Sequence, residues 1–291
     1  MTEEYIYRFA SDHGCTAGIC DAEPLEEERE RLESCKTPFV SRDIDKRLNP
    51  RRSLPGAKSV IVFGKGYTPS PYKNLSSLGT CRDYHDILTE ILNKLAETLD
   101  GNYLVMVDSG PLYEKGFAVK AGLGVRAKNG MIASPRWGTF FNLGLLISDL
   151  QILPSENNDG EPNIVTGYCS ENCLLCAKAC PNNAIGDSLR CASYITQKKG
   201  IFSDEDKELL SGQLYGCDLC QICCPINNHK PPSLWINPAE IIDMDENGFN
   251  KRFGHTGAAW RGLNHLKRNA NSGLCPANKG DNNGTVEHKR T

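Results

Sequence analysis

Residues 169–181 read CSENCLLCAKACP and residues 217–225 read CDLCQICCP, and these two stretches decide the fold of the region they enclose. Each stretch carries closely spaced cysteines and ends in a Cys-Pro pair. Such short spacings let one loop wrap several thiolates around a 4Fe-4S cube, while the cysteine before proline ligates the other cube. The pattern therefore predicts a bacterial ferredoxin-like domain that holds two 4Fe-4S clusters by crossed ligation.

Eight cysteines are the predicted ligands of these clusters, four for each cube. Ser170 occupies the position at which the usual Cys-x2-Cys spacing would place the first ligand, so the sequence leaves open whether Cys169 or a shifted ligand completes the first set. Cys223 is expected to be the spare thiol. The predicted ligands of cluster A are Cys169, Cys173, Cys176 and Cys224, and those of cluster B are Cys180, Cys191, Cys217 and Cys220.

The overall use of cysteine also favours metal binding. The chain has 14 cysteines, nine of them between Cys169 and Cys224, and its N-terminus does not resemble a signal peptide. Because the cytosol keeps thiols reduced, ligation is favoured over disulfides. The alternative is a pair of four-thiolate zinc sites, although zinc ribbons lack the doubled Cys-x2-Cys-x3-Cys-Pro pattern. The other cysteines are expected to be ordinary thiols: Cys15, Cys20, Cys35, Cys81 and Cys275.

Together with the patterns outside the cysteine motifs, the sequence predicts an α+β protein. Residues 1–150 are predicted to form an α/β domain for a cofactor and substrate, and they lack a Gly-x-Gly-x-x-Gly or Walker A sequence. Hydrophobic patterning predicts strands at 59–63, 103–107 and 139–147, a helix at about 83–99, and a helix from Pro111 to Gly122. The predicted remainder is a linker (151–168), the double-cluster domain (169–230), a short basic helical segment (231–273) and a disordered tail (274–291).

Charge and hydropathy limit the partners of the chain. The net charge of −3 excludes a uniformly basic surface for nucleic acid, and no apolar run approaches the ~20 residues of a membrane span. We therefore expect a cytoplasmic protein with no membrane partner. Residues 247–280, however, contain six Lys or Arg and no Asp or Glu. Arg261, Lys267 and Arg268 are candidate RNA phosphate contacts there, and a solvated helix face is the alternative.

Several sequence blocks resemble the epoxyqueuosine reductase family. The first is VDSGP at 107–111, followed by AGLG at 121–124 and Lys128-Asn129. The others are RDYH at 82–85, YGCDLCQ at 215–221, and WRG at 260–262 with RNA at 268–270. The resemblance runs from about residue 40 to residue 273, and the chain lacks the helical repeat extension of longer members.

The resemblance implies a cobalamin-dependent oxidoreductase, related in fold to reductive dehalogenases, that converts epoxyqueuosine to queuosine in a tRNA anticodon loop. Asp108 would then be the general acid for the epoxide oxygen, with a pKa raised by burial; the alternative is an Asp that only caps the following helix. Four residues are expected to contact cobalamin or hold its pocket, although His85 could equally be structural: Tyr84, His85, Lys128 and Asn129.

The sequence also departs from the family pattern. It has Val125-Arg126-Ala127 where the family usually has Trp-Ile-Gly, and Leu145 where the family usually has Glu after Phe-Phe-Leu-Gly. These changes leave open a cobalamin and iron-sulfur paralogue with another organic substrate. An electron carrier with eight irons is the non-enzymatic alternative. We expect a monomer served by an electron donor that the sequence does not identify.

Overall fold

The computed structural model describes residues 3–34, 39–152 and 169–272 of the chain. Six strands are present in these ranges: β1 (Thr16–Asp21), β2 (Ser59–Gly66), β3 (Tyr103–Met106), β4 (Val125–Arg126), β5 (Ile132–Ala133) and β6 (Phe141–Ser148). Four of them form an antiparallel sheet in the order β1-β2-β6-β3, and β4 pairs with β5 in a separate ribbon. The predicted linker from residue 153 onward, the predicted tail, Cys35 and Cys275 lie outside the described residues.

Short helices surround the sheet and make up most of the C-terminal half. Those before the cysteine motifs are α1 (Glu3–Asp12), α2 (Arg29–Ser34), α3 (Ile44–Leu48), α4 (Tyr84–Ala96) and α5 (Glu114–Lys120). Those after residue 168 are α6 (Leu175–Ala179), α7 (Ala192–Gln197), α8 (Asp204–Leu209), α9 (Leu219–Ile222), α10 (Pro238–Ile242), α11 (Glu246–Phe253) and α12 (Leu263–Asn271).

Helices cover both faces of the central sheet. Ile61 and Phe63 of β2 pack with Leu92 of α4 in one core. Val60 and its neighbours on the opposite face pack with Phe117 of α5 in a second core. Residues 59–64 of β2 are therefore all buried, which explains why SVIVFG shows no polar alternation.

The structure corrects two details of the predicted elements. The helix predicted to begin at Pro111 begins at Glu114, because residues 108–113 form an irregular turn in which Asp108 takes a positive φ of 55°. Strand β1 was not predicted, because its sequence TAGICD has little β-branched character. The other predicted strands and the helix at 83–99 are present with shifted ends.

The last three helices pack against the cysteine region rather than standing apart. Leu263 and Leu266 of α12 share a buried core with Tyr215, which precedes the second cysteine motif, and with Leu75. The Tyr215 hydroxyl donates to the Gly257 carbonyl at 2.7 Å. This core therefore connects the N-terminal region, the cysteine motif and the C-terminal helices. Within the described ranges, no helix is long and apolar enough to cross a membrane.

Candidate active site and cluster cavities

The turn after β3 places Asp108 beside Tyr84 and His85 at the start of α4, and we call the surface formed by these three residues the cleft. Its backbone N–H donates to Oε1 of Glu114 at 2.7 Å, which holds the residue in its positive-φ conformation. The Asp108 side chain keeps 64% of its accessible surface although protein groups surround it on several sides. The Tyr84 and His85 side chains both interact with its carboxyl group.

His85 lies between two carboxylates at the start of α4. Its Nδ1 lies 2.7 Å from Oδ1 of Asp83, the N-cap residue, which also accepts from the His85 backbone N–H at 3.0 Å. Its Nε2 lies 3.6 Å from Oδ2 of Asp108, an ion-pair distance rather than a short hydrogen bond. The Asp108 and Asp83 carboxylates raise the pKa of His85 to about 10. The ring therefore carries a proton at neutral pH.

Asp108 itself differs from the expectation in two respects. The interaction with His85 holds the pKa of Asp108 below its usual value, although burial acts in the opposite direction. The prediction that burial raises this pKa is therefore wrong. The helix-cap alternative also fails, because Tyr113 is the N-cap of α5 and no side chain caps that helix.

Glu114 and Lys115 are two further cleft residues that the sequence interpretation missed. Burial, followed by the charge of Asp108, raises the pKa of Glu114 to about 8. Burial lowers the pKa of Lys115, which lies within electrostatic range of both Asp108 and Cys220. The Lys115 ammonium donates to the Gly130 carbonyl at 2.8 Å, in the turn between β4 and β5. An acidic residue in a first helical turn is common for dipole reasons, so the sequence gave no functional signal here.

Four thiols line one cavity beside the β4–β5 ribbon, and they are those predicted for cluster A. Lys128 and Asn129, which follow β4, form another part of its wall. The cavity thus has the donor set that a 4Fe-4S cube requires. The thiols are Cys169, Cys173, Cys176 and Cys224.

The thiols predicted for cluster B form a second group. Burial raises the pKa of Cys217 to about 12, with further contributions from the neighbouring Asp218, Cys191 and Cys180. The pKa of Cys220 is raised by burial and then by Cys217 and Cys191. The two groups match the crossed sets expected from the sequence. The thiol of Cys223 lies 3.6 Å from the Cys220 carbonyl oxygen and within electrostatic range of Cys176 and Cys224, but it is not among the thiols that line the cluster A cavity.

Lys128 and Asn129 contact the cluster loops. The Lys128 ammonium donates to the carbonyl oxygens of Ser170, Glu171 and Cys173. Its backbone N–H points to Sγ of Cys169 at 3.3 Å. The Asn129 amide donates to the Cys220 carbonyl at 3.2 Å. The structure therefore gives these residues the role of joining the two cysteine motifs to the β4–β5 ribbon, and their expected contact with cobalamin stays a prediction.

A buried carboxylate fixes the second motif to the N-terminal region. Oδ2 of Asp218 accepts from the backbone N–H and the hydroxyl of Ser77 at 2.7 and 2.6 Å. Gly216 has a positive φ of 64°, and a Cβ there would lie 2.1 Å from Oγ of Ser76. The YGCD sequence therefore has structural reasons for its glycine and aspartate. The remaining described thiols lie elsewhere: Cys15 and Cys20 are buried in the cores, and Cys81 donates to the Thr68 carbonyl.

The three candidate RNA contacts are not equivalent. Arg268 donates to the carbonyl oxygens of residues 196, 198 and 200, and its guanidinium lies 3.9 Å from the Phe202 ring centroid. Its N–H groups are thus occupied within the protein, which leaves no support for a phosphate contact at this residue. Arg261 stacks on Trp260, and Lys267 is partly exposed on α12.

Two family models match the chain. The one described as Epoxyqueuosine reductase QueG, DUF1730, covers residues 47–109, and the 4Fe-4S double cluster binding domain covers residues 169–227. The second match includes all eight predicted ligands and confirms the iron-sulfur interpretation over the zinc alternative.

Known proteins resemble the chain over most of its length. The epoxyqueuosine reductase of Lactococcus garvieae is 33% identical over 82% of this chain and 75% of its own length. The epoxyqueuosine reductase of Cyclobacterium marinum is 34% identical over 81% of this chain and 84% of its own length. The epoxyqueuosine reductase structure from Streptococcus thermophilus matches with a TM-score of 0.78 and 30% identity, covering 94% of this chain and 80% of that one. This match confirms the predicted α+β fold. The chain belongs to the epoxyqueuosine reductase family.

Proposed function

We propose that this chain reduces epoxyqueuosine in tRNA to queuosine. The cleft carries the proposal: a protonated His85 and Asp108 stand at one end, and Lys115 connects them electrostatically to the Cys220 side. The relatives named above support the same activity. Further support comes from an epoxyqueuosine reductase crystal structure with an epoxyqueuosine-modified tRNA-Tyr stem loop, which matches at 27% identity and a TM-score of 0.79 over 94% of this chain and 80% of that one.

The residues of the cleft fit a large polar cofactor such as cobalamin. Tyr84 and His85 place a hydroxyl and an imidazole beside the Asp108 carboxyl, whose side chain keeps 64% of its accessible surface. Such groups can hold the amide side chains of a corrin ring. When bound, cobalamin would supply the electrons that break the epoxide C–O bonds, and the clusters would renew them. Tyr84, His85, Lys128 and Asn129 thus remain candidates for holding it, with the Lys128 ammonium already bonded to three carbonyl oxygens.

The protein's own contribution to the reaction is the delivery of protons. Converting an epoxide to an alkene consumes two electrons and two protons and releases water. The first C–O cleavage leaves an alkoxide, which is a far stronger base than either Asp108 or His85. Even an imidazolium with a pKa of about 10 can therefore supply the proton, with Asp108 as the exposed group that passes it on.

A solved relative supports the assignment of Asp108. The structure of the Bacillus subtilis epoxyqueuosine reductase, 26% identical with a TM-score of 0.77, is described as having a catalytic loop, named by an aspartate, swung out of the active site. Asp108 also lies on a loop, between β3 and α5. Its position at the end of a strand lets the loop move without disturbing the sheet.

Residues 125–127, where this chain departs from the usual family sequence, do not favour a substrate other than epoxyqueuosine. Arg126 pairs with Glu28 at 2.5 Å and also donates to the Tyr113 hydroxyl. Its charge is thus balanced within the protein wall, on the side of α5 that packs in the core. The changed sequence therefore has a local structural partner, and nothing in it selects a small organic substrate over a modified nucleoside.

The test is turnover by anaerobically reconstituted protein loaded with cobalamin and both clusters. Epoxyqueuosine-containing RNA should be converted to queuosine-containing RNA, as measured by nucleoside mass spectrometry. Asp108→Asn should bind RNA and cobalamin normally but turn over roughly 10²- to 10⁴-fold more slowly, the usual contribution of a positioned general acid. No conversion by the unsubstituted, fully loaded protein would refute the proposed function, and full activity of the variant would refute the role of Asp108.

A further inference from the structure

A groove with aromatic and basic walls lies outside the cleft and the cluster cavities. We call it the aromatic groove. It is formed by residues from α7 and its C-terminal end, from the turn that precedes α12, and from the segment before α3. Its lining residues are Phe39, Tyr194, Lys198, Lys199, Trp260 and Arg261.

The aromatic rings of the groove are unusually accessible. Trp260 is 58% exposed and Phe39 is 45% exposed. The Phe39 ring meets Tyr194 and Trp260 edge-on, with centroids 5.2 and 6.0 Å apart. The Arg261 guanidinium lies 3.4 Å from the Trp260 ring centroid, which holds the indole in place. Rings held rigidly by their edges and by a cation leave flat surface available for a further planar group.

The charge of the groove favours an anionic partner. Three of its residues are cationic and none is acidic. Lys198 pairs with Asp206 at 2.7 Å, but Lys199 and Arg261 form no ion pair within the described ranges. The buried Nε of Arg261 also has no hydrogen-bond partner there, an unfavourable state for a buried donor unless a ligand accepts from it. The groove thus combines free positive charge, an unused donor and exposed rings.

Backbone contacts join the segment that carries Trp260 to the start of α4. The Asp83 backbone N–H, at the start of α4, donates to the His255 carbonyl at 2.8 Å, and Arg82 bridges to Thr256. Residues 257–260 then form the short turn that carries Trp260. The segment that carries the groove tryptophan is thus fixed to the segment that carries His85.

We propose that the aromatic groove is a stacking subsite for an unpaired nucleotide next to the modified one in the tRNA loop. A base would stack on Trp260 beside Phe39, and its phosphate would lie against Lys199 and Arg261. Proteins that hold single-stranded nucleic acid combine aromatic platforms and cations in this way. The proposal rests on the proposed function, because tRNA is the partner that it assumes.

The test is equilibrium binding of an unmodified tRNA anticodon stem-loop to the holoprotein at several salt concentrations. Trp260→Ala should weaken binding roughly 5- to 100-fold, the range for losing one base-stacking ring, without changing the salt dependence. Trp260→Phe should retain most of the affinity, because it keeps a ring. Lys199→Gln should reduce the slope of log Kd against log salt by about 0.7, the value for one phosphate contact of a single strand.

Trp235 provides the matched control. It is 42% exposed but does not line the groove, so Trp235→Ala should leave RNA affinity unchanged. Stem-loop binding should also quench tryptophan fluorescence in the wild type and in Trp235→Phe, but much less in Trp260→Phe. An unchanged Kd of Trp260→Ala for the stem-loop would overturn the proposal. The proposal would also be overturned if this variant bound RNA as the wild type does but was reduced more slowly by a protein electron donor. Because binding of unmodified RNA needs no turnover, failure of this test differs from failure of the proposed function.

Discussion

The backbone N–H of Asp108 donates to Oε1 of Glu114 at 2.7 Å, so a half-buried acid on α5 holds the loop that presents the proposed proton donor. Asp108 has a positive φ of 55°, which is unfavourable for a non-glycine residue and requires such support. We expect Glu114→Ala to release the loop and to lower turnover by roughly 2- to 10-fold, about what the loss of one neutral hydrogen bond produces. Single-turnover kinetics on epoxyqueuosine RNA would measure the loss.

Glu114→Gln is the matched variant, because an amide oxygen can replace the protonated carboxyl as acceptor. Burial raises the pKa of Glu114 from 4.5 to about 8, so the folded chain keeps a proton that the unfolded chain loses. Stability therefore falls as the pH rises from about 4.5 to about 8. Glu114→Gln should remove this penalty, by about 1 kcal/mol in a cleft that water enters. The thermal stabilities of the wild type and Glu114→Gln would be compared at pH 5 and at pH 8.5. The same difference between the two proteins at both pH values would contradict this assignment.

His85 should set the alkaline limit of turnover. Its two carboxylate neighbours raise the pKa of His85 to about 10, and the protonated ring is the form that supplies the proton. The chemical step should therefore slow as the pH rises through about 10. His85→Gln should be slow at all pH values and lack this limb, as measured by single-turnover rates against pH.

Asp83→Asn offers a control for the His85 assignment. Asparagine is also a good N-cap, so α4 should keep its start. Because Asp83 is one of the two carboxylates that raise the pKa of His85, the alkaline limb should move to lower pH in this variant. A limb that stays at the wild-type position would show that another group limits the rate.

The cysteine sets can be separated by metal analysis. Anaerobically reconstituted protein should contain about eight irons per chain, and Cys220→Ala should lose about half of them because one cube loses a ligand. Cys223→Ala should keep both clusters, since its thiol lies against the Cys220 carbonyl and not in the cluster A cavity. Iron loss from Cys223→Ala with retention in Cys220→Ala would mean that the ligand register is wrong.

The thiols that the sequence grouped together do lie together, because the spacing of cysteines on one loop limits which of them can meet; their ligation of the clusters stays a prediction. The sequence predicted β2 and α4 for a similar reason, since both have continuous or periodic apolar patterns. It failed where contacts join distant segments. Nothing local in Lys128 indicates that its ammonium reaches three carbonyls more than 40 residues away.

The cleft was harder to predict than the cluster cavities. Asp108 could be proposed from family resemblance, but its lowered pKa depends on His85, which lies on another element. Glu114 gave no signal, because its role is to accept a backbone N–H from a loop whose shape the sequence does not reveal. Long-range geometry thus decides the electrostatics, whereas local spacing decides the metal ligands.

Lys128 should stabilise cluster A without being a ligand. Its ammonium donates to the carbonyl oxygens of Ser170, Glu171 and Cys173, all within the loop that carries the first cluster A cysteines. Lys128→Met keeps much of the side-chain length but removes these donors, so three partly dehydrated carbonyls lose their partner. We expect cluster A to be lost several-fold faster on exposure to air or a chelator, with iron content falling from about eight toward about four.

Lys178 supplies the comparison that isolates this effect. It is exposed on α6, in the same cysteine motif, and Lys178→Met makes the same change of charge. Cluster decay in this variant, followed by absorbance near 400 nm, roughly where 4Fe-4S centres absorb, should match that of the wild type. If both variants lose iron at the same raised rate, the general loss of positive charge is responsible. If neither does, the carbonyl contacts of Lys128 do not hold the loop. Faster decay in Lys128→Met alone would show that a residue outside the ligand set controls how long cluster A survives.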